Sequence, residues 1–222
     1  MKSFNWIYEH VLAHQADQDI EALLPQVRSA DALAVIADDR YLSAMSLRVF
    51  RAGIRHAVVD AKWPAFESAF FGFEPEKIIL MSDDQLENLM QNDQIIRHWG
   101  KIKSVRANAL MVTELAAEYG SFARFIAAWP VTDIVGLWAL LKQRGQQLGG
   151  KSAAYFLRQM GKDSFILTDD VVAALKAQDI IDKAPTSKRD LQTVQDCFND
   201  WQQESGRPMA HISRLLSYTV GW

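Results

Sequence analysis

The sequence predicts an all-α protein, and three observations carry that expectation. Apolar residues recur at three- and four-residue steps over most of the chain, as in Leu42, Met45, Val49 and Ala52, the spacing of one buried helix face. No apolar/polar alternation persists for more than a few positions, so no strand is expected. Helix breakers then punctuate the chain at Pro64, Pro75, Gly100, Gly120, Pro130, Gly145 and Pro185. With 222 residues, the chain can bury one good core or two small lobes sharing it.

Taken in order, Met1 to His10 carries Glu9 and the aromatics Phe4, Trp6 and Tyr8, where a signal peptide would need a basic and then an aliphatic run. The helix through Leu42 and Val49 places Arg48, Arg51 and Arg55 at helical steps on a neighbouring face, so their guanidiniums should lie along one side. Ser82-Asp83-Asp84 ahead of Leu86, Leu89 and Met90 reads as an N-cap and a helix. Further helices are expected at 102–119, 121–128, 132–144, 151–160, 169–177, 188–204 and 208–218. Ile181 to Arg189 is the only good linker candidate, and no internal repeat or low-complexity segment appears.

Composition excludes several classes. The 49% hydrophobic and 23% charged content is that of an ordinary globular chain. No apolar run approaches the roughly 20 residues of a membrane span, so a cytoplasmic protein without a membrane partner is expected. The single Cys197 rules out an internal disulfide and cannot build a structural zinc site by itself. The net charge of −3 conceals strong segregation. Ile134 to Lys162 holds five basic residues (Lys142, Arg144, Lys151, Arg158, Lys162) and no acid, and Gln94 to Thr113 holds four (Arg97, Lys101, Lys103, Arg106) and no acid. Glu67 to Asp93 carries seven acids against one lysine. Such segregation can give one positive side, as phosphate contact requires, although solvated helix faces segregate by chance as well.

Gly149-Gly150-Lys151-Ser152-Ala153-Ala154 is the most informative run. A glycine pair opening a helix can turn backbone N–H groups toward a phosphate. Eighteen residues past Lys151, Asp169 offers a carboxylate at the start of the next helical segment, within Leu167-Thr168-Asp169-Asp170-Val171-Val172. A phosphate clamp and a carboxylate suit an enzyme that grips a nucleic-acid backbone and attacks one sugar. Thr168 and Asp169 are also good helix caps, and the two roles are compatible.

This pairing resembles the helix-hairpin-helix DNA glycosylase superfamily. From Ala52 to Ala109 the chain further resembles the DNA-3-methyladenine glycosylase I family, through Ala52-Gly53, Phe70, Phe73-x-Pro75-x-Lys77, Met81, Glu87, Ile95-Ile96-Arg97-His98-x-Gly100-Lys101-Ile102 and Asn108-Ala109. The resemblance spans roughly residues 41 to 175. It implies a two-lobed helix-hairpin-helix fold, one lobe at about 45–168 and the other formed by about 1–44 with 169–222, the latter drawing on Trp201, His211, Tyr218 and Trp222. It implies a repair enzyme that flips an alkylated purine out of double-stranded DNA, hydrolyses its N-glycosidic bond and acts as a monomer. Asp169 would stabilise the positive charge growing on the sugar. Arg97, Lys101, Lys103, Gly149, Gly150, Lys151 and Ser152 would contact DNA. Trp6, Tyr8, Arg48, Phe50, His56 and Trp99 would line the base pocket, although any one of the aromatics is more often a core residue.

Four departures qualify this expectation. The family's first hairpin glycine falls on Gln147. Lys151 stands where the family has threonine, so it can contact phosphate or attack the sugar as a lyase nucleophile. An acid and a tryptophan of the family's base pocket fall on Arg48 and His56, and arginine accepts no hydrogen bond and repels a cationic base. The family's structural zinc site lacks its cysteines, with Asp170 at one histidine position; His10, His14 and His211 are a weak substitute, and no metal or other cofactor is expected. The alternatives are a bifunctional glycosylase/lyase, a non-catalytic DNA-binding relative without the base pocket, and a helical protein-interaction module.

Overall fold

The computed structural model describes residues 1–15 and 18–220; Trp222 lies outside the described residues. Among them the chain is all-α, with no strand. The helices are α1 Phe4–His14, α2 Ala30–Ala34, α3 Asp38–Arg51, α4 His56–Ala69, α5 Pro75–Ile79, α6 Asp83–Asn88, α7 Trp99–Tyr119, α8 Phe122–Ala128, α9 Ile134–Arg144, α10 Ser152–Met160, α11 Asp169–Ala177, α12 Lys188–Ser205 and α13 Met209–Ser217. No single helix among the described residues is long and apolar enough to cross a membrane.

The chain forms two compact units: a hairpin unit of residues 29–129 and 138–160, and a terminal unit of residues 1–28, 130–137 and 161 onward. The boundary expected near residue 45 falls inside α3, a continuous helix that packs against α4, α7, α8 and α10 and therefore stays with the hairpin unit. Residues 161–168 group with the terminal unit.

In the hairpin unit, α3 buries Leu42, Met45 and Val49 as the periodicity predicts. α6 starts with a capping box between Ser82 and Gln85. α8 has a double anchor: Ser121 Oγ accepts the Arg124 N–H, while the Asp38 carboxylate accepts those of Phe122 and Ala123, each at 2.9 Å. Gly120, at φ 84°, ends α7 in the left-handed conformation.

Two expected breaks do not break. α4 continues through Pro64, although an interior proline costs a helix about 3 kcal/mol. The neighbouring side chains hold it: Trp63 stacks on Phe73 at 5.3 Å, and Phe66 meets Phe50 at 4.4 Å and Phe70 at 6.3 Å between ring centroids. Likewise α7 starts at Trp99 rather than 102, with Gly100 inside its first turn. Its N-cap is His98, whose Nδ1 accepts the Lys101 N–H, a capping residue outside the usual set.

The terminal unit centres on Trp201, Phe198 and Phe165, all fully buried, with Phe165 and Phe198 stacked at 4.2 Å. The Trp201 indole N–H donates to the Lys2 carbonyl at 2.9 Å, and Glu204 accepts the Phe4 N–H at 2.8 Å, fixing α1. Buried Gln195 accepts the Val135 N–H and donates to the Val131 carbonyl, holding the entry to α9.

Candidate nucleic-acid interface and base pocket

The turn between α9 and α10, residues 145–151, is shaped from below by one side chain. Buried Asn108 on α7 accepts the Gln146 N–H at 2.7 Å and donates its amide to the Gln146 carbonyl at 3.1 Å, pairing with that residue on both sides. Gly145 lies against the same post. A Cβ there would stand 2.6 Å from Leu148 Cδ1 and 2.8 Å from the Leu141 carbonyl oxygen, so only glycine fits. Leu148 is buried and pins the turn, whereas Gln147, Gly150 and Lys151 are exposed. Gln147 has φ 61°, so a glutamine holds the left-handed conformation at the position where the resemblance expects glycine.

The N–H groups of Gly149 and Gly150 donate to no acceptor among the described residues, leaving two backbone donors and the exposed Lys151 at the head of α10. Donors of this kind favour an anion. Ser152 serves the turn itself: it is 8% exposed, and its N–H donates to the Gly149 carbonyl at 3.1 Å.

The expected DNA-contacting cations divide. Arg97, Lys103 and Lys151 are exposed, as is Lys142, whose stem lies against Gly149. Lys103 holds its ammonium 5.0 Å from the Trp99 ring centroid. Together with Arg106 and Gln146 it lines a shallow depression beside the hairpin. Lys101 is 7% exposed, and its ammonium donates to the Phe50 and Ala52 carbonyls at the C-terminus of α3. It is thus drawn inward by the orphan carbonyls of a helix end rather than displayed to solvent. Burial, and then the nearby Arg48, push its pKa down.

Of the base-pocket candidates in this unit, Phe50 is fully buried in the aromatic stack, and His56 is exposed at the first turn of α4. Trp99 is half-buried under Lys103. Arg48 lies half-buried with its guanidinium 4.4 Å from the Tyr155 ring centroid. The three arginines of α3 and its exit do not act as one row, because Arg51 pairs with Asp60 at 2.7 Å and Arg55 precedes α4.

In the terminal unit, Asp169 is exposed at the first position of α11. The cap hydrogen bond is made by Thr168, whose Oγ1 accepts the Val171 N–H at 3.2 Å, so the Asp169 carboxylate is not the cap. The passage leading to it is held by buried polar groups. Asp163 accepts the Met209 and Ala210 N–H groups at the start of α13, and Ser213 Oγ accepts the Ile166 N–H. Trp6 is 37% exposed and stacks on His10 at 4.8 Å. Tyr8 donates its hydroxyl to Glu21 under the Arg207 guanidinium, and that hydrogen bond raises its pKa.

Comparison with known proteins matches the methyladenine glycosylase family model to residues 32–161, more than half the chain, with the hairpin inside the match. The chain belongs to the methyladenine glycosylase family. It is 30% identical over 76 residues to DNA-3-methyladenine glycosylase 1 of Escherichia coli, covering 34% of this chain and 41% of that protein. To the DNA-3-methyladenine glycosylase of Haemophilus influenzae it is 27% identical over 130 residues, covering 50% and 70%. In fold it is similar to 3-methyladenine DNA glycosylase I of Staphylococcus aureus, with TM-score 0.52 and 23% identity over 62% of this chain and 80% of that one. It is also similar to the 8-oxoguanine glycosylase/lyase of Methanocaldococcus jannaschii solved with DNA, with TM-score 0.55 and 12% identity over 94% of both chains. The fold is therefore the all-α helix-hairpin-helix glycosylase type.

As a member of the methyladenine glycosylase family, the chain departs from the zinc-bearing pattern in its donor set. Among the described residues no group of three or more His, Cys, Asp or Glu side chains could hold a metal. His211 already bonds the Pro25 carbonyl, and Cys197 stands alone. Sequence reasoning missed the structural makers of the site: Asn108 under the hairpin, Gly145 against it, and Asp163 behind the Asp169 segment. Gly145 and Asn108 lay within quoted motifs or breaks, but no local pattern says that an asparagine will pair with a turn 38 residues later.

Proposed function

We propose that this chain is a DNA N-glycosylase that binds duplex DNA, turns a damaged purine out of the stack and hydrolyses its bond to the sugar. One observation carries the reading: the family match contains the turn that leaves the Gly149 and Gly150 N–H groups open to a phosphate, with the exposed Lys151 next in the chain. Phosphate contacts there would fix the register, and the cost of unstacking one base, a few kcal/mol, would be offset by the pocket that receives it. Asp169 is the carboxylate proposed to stabilise the oxocarbenium-like sugar and to orient water. Thr168 makes the cap hydrogen bond of α11, and Asp169 is exposed at its first position. Arg97, Lys103, Lys142 and Lys151 are the cations proposed to face DNA, and Trp6, Tyr8, Arg48, His56 and Trp99 remain the pocket candidates. The test is to incubate the protein with alkylated duplex DNA and identify the released bases; salt-insensitive binding, or no binding, would favour a protein-interaction module instead.

A second reading adds lyase action. Lys151 is exposed at the mouth of the hairpin, where a neutral amine could reach a sugar carbon. The M. jannaschii protein of similar fold bears the description glycosylase/lyase. Borohydride trapping of a covalent DNA adduct that disappears in Lys151→Ala would establish it.

A further inference from the structure

Arg48 is a cation of the hairpin unit whose surroundings ask for something the chain does not provide. Its Nε is buried with no hydrogen-bond partner, and its guanidinium makes no ion pair among the described residues. The guanidinium carbon lies over the Tyr155 ring, 4.4 Å from its centroid. The other charged groups near it are cations: Arg51, which is paired to Asp60, and Lys101, which is committed to two carbonyls. Burial pushes the Arg48 pKa down, yet arginine stays protonated at any physiological pH. A guanidinium N–H withdrawn from water without an acceptor is costly unless a ligand supplies one. The ligand must also be uncharged or negative, because no carboxylate offsets the Arg48 and Lys101 charges.

A guanidinium held over an aromatic ring spends none of its hydrogen-bond donors on an acceptor there. Its N–H fork matches two adjacent acceptors on a planar edge, the O6 and N7 of a 6-oxopurine being the commonest such pair read by arginine. A cationic N-methylated purine offers the opposite charge pattern. Of the neutral 6-oxopurines, guanine in its normal pair is expensive to extrude, whereas a deaminated adenine opposite thymine is mismatched and cheap to extrude.

We infer that Arg48 selects a neutral purine with a C6 carbonyl and a free N7, the deaminated class represented by hypoxanthine, over a cationic alkylated purine. This rests on the glycosylase reading above and names its substrate class.

The experiment compares base release from duplexes carrying hypoxanthine opposite thymine with release of N3-methyladenine from alkylated duplex, after subtracting uncatalysed loss. Wild type should favour hypoxanthine by about tenfold or more. Arg48→Met, which keeps the aliphatic stem on Tyr155, should lose about ten- to a hundredfold on hypoxanthine with little change in melting temperature. Arg48→Glu should shift the preference toward the cationic base. Preferential release of N3-methyladenine by wild type, or an Arg48→Met variant with unaltered hypoxanthine release, overturns the inference and leaves the enzyme reading standing. If Arg48→Met instead weakens binding to undamaged duplex and lowers the salt slope by about 0.9, Arg48 is a phosphate contact and the inference fails. Should no duplex release any base, the enzyme reading fails. Free hypoxanthine then decides the matter, since binding to wild type but not to Arg48→Met supports the recognition and no binding overturns it.

Discussion

Two helix starts carry the candidate chemistry, and different physics holds them. The turn before α10 is locally strained and externally propped: Gln147 and Gly150 are both left-handed, and a single asparagine from α7 supports the backbone. The turn before α11 carries no left-handed residue between Lys162 and Asp169, and is anchored by buried polar groups, Asp163 to α13 and Ile166 to Ser213. The first displays backbone donors and a lysine, while the second displays a carboxylate. The first also lies within the family match, whereas Asp169 lies eight residues beyond its end at residue 161. Kinship therefore supports the proposed binding element. The reacting element has to be assigned by its own geometry and tested on its own.

The largest expected effect breaks the two apart. Asp169→Asn keeps the size of the side chain, and Thr168 keeps the cap, so α11 should hold. Base release should fall by about 10²-fold or more, the scale of losing a preorganised electrostatic group, while duplex affinity persists. A cationic base departs easily and would ask less of the carboxylate, so the loss should be larger on a neutral lesion. Full activity in Asp169→Asn would leave α11 a scaffold only. Release assays at matched binding saturation make the distinction.

The next effect sharpens the hairpin side. Asn108→Ala removes both supports of Gln146 and leaves the turn's backbone groups to find other partners. The expected cost is roughly 1–3 kcal/mol, from about 0.5–1.5 for each of the two hydrogen bonds lost. For a chain of this size that is a drop of very roughly 2–12 °C in melting temperature. Duplex affinity should fall with it, whereas Asp163→Asn, acting behind α11, should lower stability without altering the salt slope of binding. Lys151→Ala should lower that slope by about 0.9 if the ammonium neutralises one phosphate, as titrations at several salt concentrations would read.

The hairpin was legible because glycines and a basic run mark it locally, and α8, α11 and α12 because Ser121, Thr168 and Ser187 cap them in the usual way. The start of α7 was not, since a histidine cap carries little statistical weight. The helix through Pro64 was not, because the opposing term is an aromatic stack assembled from α3, α4 and the turn after α4. Lys101 illustrates the same limit for the site. Its charge counted toward a basic run, but a helix end 49 residues earlier captures it, and sequence spacing does not report that partner. Arg48 was visible as a departure from the family's pocket; its lack of any acceptor was not.

The smallest effect concerns Gln147, and it tests whether the hairpin's strain belongs to binding or is merely tolerated. A non-glycine residue in the left-handed region costs roughly 1–2 kcal/mol. Glycine removes that cost but adds about 0.5–1 kcal/mol of unfolded-state freedom. The net gain from Gln147→Gly is then about 0–1.5 kcal/mol, a rise of up to about 6 °C in melting temperature. Since the Gln147 side chain is exposed and its backbone conformation would be unchanged, duplex affinity should stay within about twofold. A stabilised variant with unchanged affinity makes the turn's shape the binding determinant and its sequence incidental. A stabilised variant that loses affinity makes the Gln147 amide itself a DNA contact, a role that the family's glycine could not perform. Destabilisation would mean that the left-handed turn is held by something other than backbone preference, and the contrast drawn between the two helix starts would fall.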